Sequence, residues 1–133
     1  MAFGIIKADT LTHSTAGSVD TNYVVEGSAK AWAHIAAGGA SLPDSFNVSS
    51  IDDDDTGQYG LNFTNNMGSA FYSANMNITL NHSSTVNNVR VPEIESKNTS
   101  SVEVDSGYVN SSGVWVEYDI EVDASVTVQG NLA

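Results

Sequence analysis

From Val114 to Val128 every second residue is apolar: Val114, Val116, Tyr118, Ile120, Val122, Ala124, Val126 and Val128. Between them stand Trp115, Glu117, Asp119, Glu121 and Asp123. A period of two turns one set toward a core and the other toward water, which a helix cannot do. The row predicts one long half-buried strand, or two strands kept in phase through Asp123-Ala124. Its acidic outer residues also discourage edge-to-edge pairing.

The same alternation recurs along the chain. Tyr72, Ala74, Met76, Ile78 and Leu80 share one face of a strand, and Ser73, Asn75, Asn77 and Thr79 share the other. Ser45-Phe46-Asn47-Val48-Ser49 and Tyr59-Gly60-Leu61-Asn62-Phe63-Thr64 each alternate around Asp52-Asp53-Asp54-Asp55-Thr56-Gly57, so a hairpin with an acidic turn is expected. Val86, Val89, Val91 and Ile94 surround Pro92, which marks an edge strand or a strand end. Val102 and Val104 follow, and a short strand is expected at Phe3-Gly4-Ile5-Ile6-Lys7.

Residues 28–40 are rich in alanine, yet Gly27, Gly38 and Gly39 bound them and Trp32 and Ile35 give only a short apolar pair, so a strand is expected there too. Ser, Thr and Asn are common while Leu, Lys and Glu are scarce, and no amphipathic helix is expected. The fold class read from this is all-β: an antiparallel β-sandwich or an intertwined trimeric β-structure. Gly38-Gly39-Ala40-Ser41-Leu42-Pro43 reads as a connector. It separates residues 1–42, as docking and oligomerisation strands, from a β-sandwich-like domain at 43–133.

The 133 residues suffice for a hydrophobic core without staples. With no cysteine, disulfides, thiolate zinc sites and cysteine nucleophiles are excluded. The net charge of −12 disfavours nucleic acid and anionic membrane surfaces as partners, because binding to either rests on Lys and Arg. It leaves cations or a basic partner open. Residues 1–8 lack the apolar stretch of a signal peptide, and no apolar run approaches a membrane span. A protein made in the cytoplasm that later joins a particle, with no membrane insertion, is the expectation.

Chemistry-bearing motifs are sparse. Asp52, Asp54, Thr56 and Gly57 match the front half of a calcium loop, making Asp52 and Asp54 the metal candidates. The twelfth position is Phe63 where the loop needs Glu, so a structural turn is the favoured reading. His13, His34 and His82 show no zinc spacing. No G-x-S-x-G elbow and no phosphate loop occur, and Glu93/Glu95 and Glu117/Asp119 are same-face neighbours where glycosidase carboxyls must face across a cleft. Triplets of N-x-S/T at Asn47, Asn62, Asn77, Asn81, Asn98 and Asn110 fit the Asn/Ser/Thr-rich composition. No catalytic residue and no cofactor are assigned.

The run Asp9-Thr10-Leu11-Thr12-His13-Ser14-Thr15-Ala16-Gly17-Ser18-Val19, continuing to Gly27-Ser28-Ala29-Lys30-Ala31-Trp32, resembles a stretch of tail-fibre-like proteins of marine bacteriophages. So does Asp44-Ser45-Phe46-Asn47-Val48-Ser49-Ser50 followed by Tyr59-Gly60-Leu61-Asn62-Phe63-Thr64-Asn65. The resemblance covers residues 8–80. It implies a non-catalytic virion structural protein, a short tail-fibre or tail-tip subunit acting as a homotrimer in assembly or host attachment. The implied partners are the chain's own copies, other virion proteins and a host-surface glycan or receptor. Trp32, Ile35 and Tyr23 are assigned to the subunit interface. A capsid decoration or head-fibre protein is one alternative. A carbohydrate-binding module using Trp115 and Tyr108 is another.

Overall fold

The structure, a computed structural model, describes residues 7–39, 41–79 and 90–133. The strand expected at 3–7 lies almost wholly outside these residues, as do Leu80, His82, Val86 and Val89. Along the chain come β1 (Thr10–His13), β2 (Gly17–Asp20), α1 (Thr21–Gly27), β3 (Ala29–Ala36), β4 (Asp44–Phe46) and β5 (Val48–Asp55). β6 (Gln58–Phe63), β7 (Ser73–Thr79), β8 (Arg90–Lys97), β9 (Ser101–Val109), β10 (Trp115–Glu117) and β11 (Asp123–Gln129) follow. The fold is all-β with antiparallel pairing throughout, and its arrangement is sandwich-like.

One sheet runs β4-β3-β11-β7. The other has β9 at its centre: β8 lies along one side, β6 and then β10 along the other, and β5 pairs with β6. The alternation read from the sequence decides what each sheet turns inward. Ala31, Ala33 and Ile35 of β3, Met76 of β7, and Ala124, Val126 and Val128 of β11 are buried from one side. Tyr59, Leu61 and Phe63 of β6 with Val102 and Val104 of β9 are buried from the other, in a single apolar cluster completed by Met67, Tyr72 and Ile120. Burying such side chains stabilises by about 1.5–3 kcal/mol each for the larger ones, which makes this cluster the main source of stability.

At two places the chain changes sheets within a run that the sequence reads as continuous, and both correct the sequence reading. Residues 45–49 are two strands, not one. Asn47 takes a positive φ of 56°, sending β4 to one sheet and β5 to the other. Its side chain closes the corner. Oδ1 accepts from Asn65 N–H at 2.7 Å, and Nδ2 donates to Asn65 O at 3.0 Å. The 114–128 row likewise breaks, at residues 118–122: β10 pairs with β9, while β11 pairs with β3 and β7. Ile120, 1% exposed, stays inside as the chain crosses.

The acidic run is also not a turn. Asp52–Asp55 lie on β5, and the reversal is the two-residue Thr56-Gly57. Gly57 has φ +76°, and a Cβ there would sit 2.3 Å from Ser106 O. Only glycine satisfies both the turn and that close approach. Among the described residues β8 pairs with β9 alone, an edge position where Pro92 is expected.

The division at residue 42 is replaced by one near residue 28. β3 shares a sheet and a core with β11, so it belongs to the sandwich. Residues 7–28 instead form an arm of one hairpin and a seven-residue helix, in which every residue but Thr21 is exposed. That helix holds Tyr23-Val24-Val25, where the sequence predicts none.

Candidate functional site

The outer face of the four-stranded sheet carries a row that the register fixes across all four strands: Asn75, Thr127, Trp32 and Phe46. Beside it runs a second row of Asn77, Ser125, His34 and Asp44. The two aromatics are neighbours on adjacent strands and remain 37% and 54% exposed. Such an aromatic pair on a polar sheet face is a contact surface that intrachain packing leaves unfilled. Trp32 is thus available for the interface role assigned to it. Ile35 is not: it is fully buried in the chain's own core. The reason is period two, which puts neighbours three apart on opposite faces of a strand.

Tyr23, the third assigned residue, is 67% exposed on the arm. Leu11, Val19, Val24 and Val25 are exposed with it. Leu11, Thr21, Val24 and Val25 line an open groove of about 520 Å³ together with Lys7 and Asp9. The arm is held to the sandwich by polar contacts. Gln129 Nε2 of β11 donates to Gly27 O at 3.3 Å, while within the arm Thr21 N–H donates to Asp9 O at 2.8 Å. The buried Lys30 ammonium donates to Ser28 O at 2.8 Å, to Ser28 Oγ at 2.7 Å and to Val25 O. A cation at the last turn of α1 satisfies open carbonyls and opposes the helix dipole.

The metal candidates lie on strand β5, not on a loop. Asp52 accepts from Asn62 Nδ2 at 2.8 Å, and Asp54 sits at a bulge in β5. Among the described residues no three His, Asp or Glu side chains converge as ion ligands. His13 caps its own turn, its Nδ1 accepting from Thr15 and Ala16 N–H at 3.2 and 3.1 Å. His34 stands 3.8 Å from Asp123 at the surface, and His82 lies outside the described residues.

Trp115 and Tyr108 are both engaged within the chain. Trp115 leans over Gly107, where a Cβ would sit 2.5 Å from its ring. Tyr108 packs edge-on to Tyr118, with Arg90 lying 5.2 Å from one ring and 3.8 Å from the other. Trp115 and Tyr108 are each half-buried. Sequence reasoning missed Phe46 and Phe71, which is 97% exposed on the loop after β6. Alternation marks Phe46 as inward, and only the corner at Asn47 turns it out.

No helix among the described residues is long and apolar enough to cross a membrane. No family model, curated protein or solved structure matches the chain.

Proposed function

We propose that this chain is a structural subunit of a bacteriophage virion, a short tail-fibre or tail-tip protein that works as a homotrimer. One observation carries the self-assembling part: an arm of 22 residues, 7–28, that buries nothing of its own yet displays Leu11, Val19, Tyr23, Val24 and Val25. A lone two-stranded hairpin is marginal in water, so its apolar side chains favour cover from a neighbouring subunit. Trp32 and Phe46 add a second patch for the same purpose. The virion assignment and the threefold number come from the resemblance over residues 8–80. In this reading the arm docks and the sandwich is displayed.

Immunogold labelling of purified particles tests it. Label at the tail tip or fibres is expected. Label over the capsid would favour a decoration protein, and unlabelled particles would remove the virion role.

A second reading, a carbohydrate-binding module, is favoured by the Asn75, Thr127, Trp32, Phe46 row, where an aromatic pair adjoins amide and hydroxyl groups. Glycan-array binding lost on Trp32→Ala would support it. An array without signal would dismiss it.

A further inference from the structure

The outward face of the five-stranded sheet differs in kind from the face that carries Trp32. Register places Asp52 on β5, Glu93 on β8, Glu103 and Asp105 on β9, and Glu117 on β10 on this one face. Asp54 and Glu103 converge over Gly60: a Cβ there would lie 3.4 Å from Asp54 Oδ2 and 2.8 Å from Glu103 Oε2. Asp105 sits deeper, only 7% exposed, between Gln58 and Glu93, and its Oδ1 has no hydrogen-bond partner among the described residues. A buried carboxylate oxygen amid like charges is costly unless a donor reaches it.

We propose that this face binds a basic protein segment, with Asp54, Glu103 and Asp105 receiving its lysine or arginine side chains. The breadth of the face favours a segment over an ion. The carboxylates span β5, β6, β9 and β8, about 14 Å at the usual strand spacing, and no three of them converge on a point.

The partner is a different protein, because this chain has only four Lys and Arg. Lys30 is committed to α1. Arg90 donates to Glu121 at 2.7 Å, and Lys97 donates to Tyr72 O at 2.9 Å. Lys7 alone stands against all these carboxylates. The inference is independent of the subunit reading above.

The test is anisotropy of a fluorescent nona-arginine peptide titrated with the full chain at low salt. Two charge-matched double variants are compared, each checked for cooperative urea unfolding. One is Glu103→Gln/Asp105→Asn, and the other is Asp44→Asn/Asp123→Asn on the opposite sheet. Saturable binding is expected, weakened about tenfold by the first pair and less than about twofold by the second. Equal weakening by both pairs would reduce the effect to net charge and overturn the site. So would absence of peptide binding, or binding of calcium chloride alone with no peptide uptake.

Discussion

The hydroxyl of Tyr59 donates to Asp119 Oδ1 at 3.3 Å and accepts from the Ile120 N–H at 3.2 Å. It thereby clamps the segment that carries the chain from one sheet to the other. Asp119 Oδ1 also accepts from Gly57 N–H at 2.8 Å, so the β5–β6 turn and the crossover are fixed to one carboxylate. Tyr59→Phe keeps the ring and strands the buried Ile120 N–H. A loss of about 1–3 kcal/mol is expected, measured by urea unfolding near neutral pH.

The same hydroxyl sets an alkaline limit. Burial, and then the charge of Asp119, push the Tyr59 pKa up to about 12, despite the opposing hydrogen bond from Ile120; burial does the same for Tyr72. Both folded values lie above the unfolded value of 10.0. Their contribution is therefore full below about pH 10 and is lost as pH rises through about 12. Absorbance titration is expected to find two late-ionising tyrosines, one of which disappears in Tyr59→Phe.

Asp105 acts in the acid range. Burial first, then the charges of Glu95, Glu93, Glu117 and Glu103, push its pKa up to about 6 from 3.8. Burial also raises Glu103, beside Asp54. A raised folded value means stability is greatest below about pH 4 for this group and falls as pH rises through about 6, by an amount on the order of 3 kcal/mol. Asp105→Asn is expected to flatten this slope and to stabilise the chain at about pH 7.5. Urea midpoints that move identically with pH in both proteins would contradict the assignment.

Lys30 governs the arm alone. Lys30→Met keeps much of the buried stem and removes the cation from the carbonyls at the end of α1. The expected loss is about 1–2 kcal/mol, confined to the arm. Hydrogen exchange should accelerate in residues 21–27 while β6 and β9 keep their protection.

Period two in the sequence located strands and their inner faces well, as with Met76, Val102 and Val126. It could not say which sheet a strand joins. At Asn47 and at residues 118–122 the chain changes sheets without interrupting the alternation, because the change is a backbone rotation and hydropathy carries no φ. The surfaces were legible only in part. Trp32 and Tyr23 are exposed, but Ile35 is core. Asp105 sits in an outward position that neighbouring strands then cover, a depth that alternation alone does not encode. Lys30 reads as a surface lysine until α1, itself unexpected, brings carbonyls to it.

Subunit association is the central claim, and native mass spectrometry of the full chain at micromolar concentration tests it most directly. A species of three times the subunit mass is expected, falling to the monomer in Leu11→Glu/Val25→Glu. A native chain that is monomeric throughout would contradict it.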